Sequence, residues 1–279
     1  MVCIRKVLIF ILPVIGMVFS SSLYADDEYY HEITSQRSSE LPFWMIEKDA
    51  AKATLVFFAG GHGKLKLNQN GIRKLKNNFL VRSRDAFASQ GFNIAIVDKP
   101  DDRDNLYGFR LTAEHASDIE SLIKYLRKEY KKPVWLVGTS RGTLSVANAA
   151  ARLHGANGPD GIVMTATVVV KSRRDSVQQV ELAKIKVPTL FVHNRDDACH
   201  VCPYAGVSAT MAKLSKVKDI QLISVQGGQS EASRPCQALT PHGFLGLEDK
   251  VIKDITDWIK PRLKQRRKVS DKGVTQKNI

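Results

Sequence analysis

Six stretches of this chain are apolar almost without a break. They run from Thr54 to Ala59, Phe92 to Asp98, Val134 to Val137, Gly161 to Val170, Val187 to His193 and Ile220 to Val225. Each is rich in Val, Ile, Leu or Phe and too short for a helix that is apolar all round. That is the signature of strands, in the first three runs of strands buried on both faces, as in a mainly parallel sheet covered by helices. The segments between them fit. Asn78 to Gln90 reads as a helix closed by Gly91. Thr112 is placed to cap a helix reaching about Lys128, with Ala116, Ile119, Leu122, Ile123 and Leu126 on one face. Tyr204 to Leu214 reads as another helix. Leu247, Val251, Ile255, Trp258 and Ile259 mark a last one, which Pro261 disturbs. Strand–helix alternation from 53 to 260 predicts an α/β fold in a single domain, residues 26–263, with no large lid. Two earlier strand-like pieces, Tyr29–Thr34 and Phe43–Glu47, have no helix between them and are expected to pair antiparallel at one edge.

Both ends carry separate signals. Arg5 and Lys6 precede an apolar run from Val7 to Phe19, then small residues to Ala25 and the acidic Asp26-Asp27-Glu28. Residues 1–25 read as a secretory signal peptide, cut after Ala25 or, second, after Ser22, which implies a periplasmic or secreted protein. The formal net charge of +14 raises nucleic-acid binding. Its distribution argues against that, because residues 260–279 hold eight bases and one acid, half of the excess. No basic face interleaved with aromatics stands out elsewhere. Residues 264–279 read as a basic disordered tail, able at most to touch an anionic surface weakly.

In open parallel sheets, sites form at the carboxyl ends of the strands. Here those ends carry chemistry. Gly60-Gly61-His62-Gly63 follows the first buried strand, and Gly138-Thr139-Ser140-Arg141-Gly142 follows the third. His193-Asn194-Arg195-Asp196-Asp197 follows the fifth, and Thr240-Pro241-His242-Gly243-Phe244 comes after the last. A hydroxyl, a carboxylate and an imidazole are what covalent serine catalysis needs. Rivals exist for two of the roles. Asp196 and Asp98 compete as the acid, and His62, His115, His193 and His200 as the base. The side chain of Arg141 could bind a carboxylate or could simply start a helix in solvent.

The G-x-S-x-G turn between strand and helix, with Ser140, Asp197 and His242 in that chain order, resembles the α/β-hydrolase superfamily over nearly all of residues 53–260. More narrowly, the chain resembles small exported bacterial serine hydrolases of unassigned substrate. The resemblance implies a nucleophile at Ser140 and a base at His242. It implies the acid at Asp197, by the spacing of His193, three residues and Asp. Oxyanion donors would be the backbone N–H of Arg141 and one from Gly61 or His62. It implies a carboxylesterase-like reaction without cofactor or metal, and the lack of a long insertion between elements favours a short-chain ester or a small cell-envelope metabolite as substrate. Amide cleavage, or a fold kept for binding at the cell envelope, are the alternatives. The oligomeric state is open. The resemblance also implies a disulfide from Cys199 to Cys236, with Cys202–Cys236 as the second choice. Cys199-His200-Val201-Cys202 by itself leaves a redox motif or a zinc site open.

Overall fold

The computed structural model describes residues 27–170 and 175–275, and side chains as far as Leu263. The signal-peptide reading of residues 1–25 lies outside the described residues. Among the described residues, ten strands and six α-helices form in chain order. They are β1 (Asp27–Thr34), β2 (Glu40–Glu47), β3 (Thr54–Phe58), β4 (Leu67–Asn68), β5 (Gly71–Ile72), α1 (Phe79–Arg82), α2 (Arg84–Ser89), β6 (Asn93–Val97), α3 (Ala113–Tyr130), β7 (Val134–Thr139), α4 (Gly142–Arg152), β8 (Gly161–Thr165), β9 (Thr189–Asn194), α5 (Val207–Met211), β10 (Ile220–Val225) and α6 (Glu248–Thr275). Eight strands make one sheet in the order β1-β2-β6-β3-β7-β8-β9-β10. β2 is antiparallel to both of its neighbours, and every pair from β6 to β10 is parallel. The expected antiparallel edge is therefore β1–β2.

Why each inner strand is mostly apolar follows from its two faces. Leu55 and Phe57 of β3, Ile94 and Ile96 of β6, and Trp135 and Val137 of β7 enter one core with α1, α2 and α6. Their neighbours Val56 and Phe58, Ala95 and Val97, and Val134 and Leu136 enter the other, against α3, α4 and α5. Side chains alternate across a strand, so burial on both sides confines polar residues to the strand ends, as at Thr54, Asn93, Thr139, Thr165, His193 and Asn194.

Local differences from the sequence reading have local causes. The helix expected over 78–90 is two short ones, because Ser83 (φ −96°, ψ 4°) breaks the helical path between them. β8 stops at Thr165, not Val170, because Ala166 takes a left-handed φ of 45° and turns the chain. The segment from Tyr204 opens as a 3-10 turn, Tyr204–Gly206, before α5. β4 and β5, not foreseen, pair across a two-residue turn at Gln69-Asn70, and Gly71, with φ 103°, opens β5. α6 includes Pro261 and is helical as far as Thr275, past the point where the tail was expected to begin. Residues 276–279 lie outside the described residues. No helix among the described residues is long and apolar enough to cross a membrane.

Phe57 is fully buried in the centre of the sheet, with its ring 5.0 Å from that of Phe87. Phe57→Ala should cost about 3–5 kcal/mol of stability, lowering the urea midpoint at unchanged slope.

Candidate active site

The geometry begins with two glycines. A Cβ on Gly142 would stand 1.9 Å from the Phe58 carbonyl oxygen, and one on Gly138 would stand 2.5 Å from the Gly142 carbonyl oxygen. Without side chains at either place, α4 starts hard against the end of β3, and the turn between β7 and α4 must be abrupt. Ser140 absorbs the bend with φ 52°, a conformation that costs a residue with a Cβ. Neighbouring bonds hold it there. Ser140 N–H donates to Thr165 O (2.9 Å), while Thr143 N–H (3.0 Å) and Thr143 Oγ1 (2.6 Å) donate to Ser140 O.

The acid and the imidazole come from the ends of β9 and β10. Asp197 Oδ2 lies 2.8 Å from His242 Nδ1, and both residues are buried. The other carboxylate oxygen of Asp197 accepts the N–H of Cys199 at 2.8 Å, which fixes its orientation. The loop that carries His242 is held at several points. Thr240 caps the 3-10 turn Pro241–Gly243, and Asn194 Nδ2 donates to Gly227 O (2.8 Å) and Pro241 O (3.3 Å). Arg82 of α1 donates to Gly243 O (2.6 Å) while paired to Glu248. A disulfide joins Cys199 to Cys236, tying the acid loop to the histidine loop. That is the first of the two pairings expected, and it leaves Cys202 as a buried free thiol.

Ser140, His242, Gly60, Gly61, Asn78 and Cys236 are among the residues lining one cavity of about 180 Å³. His242 Nε2 is buried without a hydrogen-bond partner among the described residues, so Ser140 Oγ does not bond it here. The Ser140 side chain lies instead near the Cys202 thiol. Of the two oxyanion candidates on the Gly-rich loop, Gly61 lines the cavity and His62 does not. No acceptor among the described residues takes the N–H of Gly61 or of Arg141. His62 braces the loop. Its Nδ1 accepts from Lys64 N–H at 3.0 Å and its carbonyl from Leu106 N–H at 2.9 Å. Burial and the charges of Lys74 and Lys64 hold its imidazole below the usual range.

The rivals are occupied elsewhere. Asp98 accepts three backbone N–H groups, from Leu65 (2.7 Å), Leu67 (2.9 Å) and Lys99 (2.8 Å). It lines a different and larger cavity of about 760 Å³ that contains none of Ser140, Asp197 or His242. Asp196 accepts the N–H of Gly227 at 2.8 Å. His193 Nε2 accepts the N–H of Thr167 at 3.0 Å, and burial, with the charge of His242, pushes its imidazole down to about 3. His115 sits against the Ser145 hydroxyl at 2.8 Å, and burial, with the charge of Arg110, likewise pushes it down to about 3. Both stay neutral supports. The Arg141 side chain is paired to Asp175 and lies 5.0 Å over the Tyr107 ring.

Two supports were not visible in the sequence. Arg110, fully buried, donates to Ala59 O (2.8 Å) and to Ser145 Oγ (2.7 Å), so it fixes the peptide that leads into Gly60 and Gly61. Asn78 caps α1 through Leu80 N–H and reaches the cavity. Nothing in their local sequence separates them from any surface Arg or Asn. As for a metal, Cys199, Cys202 and His242 offer ligand atoms within 4.8 Å of one another. With Cys199 in a disulfide only two donors remain, where a structural zinc takes four.

Several solved structures are similar in fold. An esterase of Pyrococcus furiosus is 13% identical, with 85% of this chain and 92% of that one covered and a TM-score of 0.62. An α/β serine hydrolase homologue from Coxiella burnetii is 14% identical over 85% and 99%, with a TM-score of 0.57. A dienelactone hydrolase from Anabaena variabilis is 14% identical over 84% and 97%, with a TM-score of 0.56. No protein-family model matches the chain, and no curated protein matches it. The chain has the α/β-hydrolase fold.

Because Gly142 has no room for a methyl group, Gly142→Ala should push α4 away from β3. A loss of about 3 kcal/mol in chemical denaturation is expected, with Ser140 displaced.

Proposed function

We propose that this chain, built on the α/β-hydrolase fold, is an exported serine hydrolase of carboxylic esters. The single observation that carries the reading is the buried His242–Asp197 hydrogen bond beside a strained Ser140 in one cavity. A binding module has no need to hold a serine in a left-handed turn next to an oriented imidazole.

The chemistry follows from the atoms present. Asp197 accepts the Nδ1 proton of His242, which leaves Nε2 as the basic nitrogen. Rotation about the Ser140 Cα–Cβ bond carries Oγ from Cys202 to Nε2, a change of the kind that completes catalytic hydrogen bonds when substrate enters. Ser140 Oγ attacks the ester carbonyl, and His242 takes its proton and returns it to the leaving alkoxide. Water then repeats the sequence on the acyl-enzyme. The N–H groups of Arg141 and Gly61 meet the developing oxyanion, and α4 presents its N-terminal end to the same charge. The cavity of about 180 Å³ is smaller than the several hundred Å³ that usually hold a drug-sized ligand, which supports a short acyl group. The solved neighbours described as an esterase and a dienelactone hydrolase agree in reaction class.

A fluorophosphonate should label the folded protein on Ser140, and Ser140→Ala should abolish both the label and ester turnover, the latter by a factor of about 10⁴ or more. Label surviving in Ser140→Ala would refute the reading. Across p-nitrophenyl esters of graded length, kcat/KM should peak at short chains. Asp197→Asn should lower turnover by about 10⁴, whereas Asp98→Asn should lower Tm and leave turnover near wild type. For export, intact mass of protein recovered from the periplasm should correspond to a chain starting at Asp26. Deleting residues beyond Leu263 should weaken binding to anionic vesicles without changing ester turnover; unchanged binding would remove that role from the basic segment.

A further inference from the structure

The Cys199-His200-Val201-Cys202 motif contributes more to this site than a staple. Cys202 Sγ, Cys199 Sγ and a ring nitrogen of His242 lie within 4.8 Å of one another. Cys202 is fully buried, packed with Cys199, Leu144 and Val168. Its thiol is thus beside an intact disulfide and beside an imidazole whose Nε2 is buried without a partner. On the far side of that disulfide, Cys236 Sγ is 3.7 Å from Nδ1 of the exposed His200. Cys236 is half-buried and lines the cavity next to Ala238 and His242, so small molecules that enter the cavity reach it. A nucleophile, a base, an electrophilic disulfide and a proton donor for the leaving sulfur are therefore assembled in one place.

We propose that Cys202, Cys199 and Cys236 form a thiol–disulfide exchange centre that shares His242 with the hydrolytic site. Cys202 gives its proton to His242 Nε2, and the thiolate attacks Cys199 Sγ. The Cys199–Cys202 bond forms as the Cys199–Cys236 bond breaks. The electron pair leaves on Cys236 Sγ, which takes a proton from His200 or from water. One thiol and one disulfide enter the step and one of each leave it, so no oxidant or reductant is required. Burial, with the charge of Asp197, raises the Cys202 thiol and keeps it protonated at rest, so the step needs the base. The product differs in two ways. The histidine loop is no longer bonded to the acid loop, and a thiol now faces the cavity at Cys236, open to a small disulfide of the glutathione class.

The exchange concerns the cysteines alone and does not depend on the hydrolase reading, except that both use His242. The native protein is treated with N-ethylmaleimide at pH 8, quenched in acid, and mapped by digestion without reduction. The alkyl group is expected on Cys236, together with a Cys199–Cys202 disulfide. In Cys202→Ala and Cys202→Ser, labelling of Cys236 should fall at least tenfold. In Ser140→Ala it should persist, which separates this result from any failure of ester hydrolysis. His200→Ala should slow it severalfold. Alkylation confined to Cys202, or an unlabelled protein that retains Cys199–Cys236, would overturn the proposal.

Discussion

The close approach of α4 to the end of β3 is the constraint on which the site depends. It exists only because Gly138 and Gly142 lack side chains, so that the helix begins against the Phe58 carbonyl. The chain must then reverse within a few residues, and Ser140 takes the strained left-handed conformation that the turn requires. The strain is held by three hydrogen bonds to its own backbone groups and by the packed helix behind it. The same approach brings the N–H of Arg141 next to the Gly-rich loop that follows β3, where Gly60 leaves just enough room for the Ser140 Cβ.

The remaining parts are brought to that point by parallel strands ending on the same edge. Parallel order carries β7, β9 and β10 to the same side, and the loops after them supply Ser140, Asp197 and His242. Loops alone would hold such groups loosely. Here Asn194, Arg82, Thr240 and the Cys199–Cys236 bridge anchor the histidine loop, while Arg110 anchors the loop of Gly60 and Gly61 from below. The buried polar network of Arg110, Ser145 and His115 is costly in isolation. Its hydrogen bonds, from Arg110 to Ser145 Oγ and between His115 and Ser145, offset part of that cost.

Much of this was legible before any coordinates. Leu55-Val56-Phe57-Phe58 reads as a buried strand because each of its faces needs covering, and it is one. The G-x-S-x-G turn lay where a strand gave way to a helix, and Asp197 and His242 followed in order. Less legible were boundaries set by single residues. Ser83 breaks a helix whose apolar spacing runs straight through it, and Ala166 ends a strand inside a Val-rich stretch.

The sequence by itself determined the α/β fold class and the glycine-framed turn at Ser140, since these depend on periodicity, on glycine and on short-range steric rules, while the expectation of an acid at Asp197 and a base at His242 came from the family resemblance. Only the tertiary structure gave chemically equivalent residues their different partners. Asp98, Asp196 and Asp197 are the same carboxylate until three backbone N–H groups occupy the first, Gly227 holds the second and His242 meets the third. Cys199 and Cys202 are three residues apart, yet one is bridged to Cys236 and the other lies beside Ser140. Such choices rest on distances between segments far apart in the chain. Those distances are set by how the sheet's strand order packs its loops together, which no local pattern encodes.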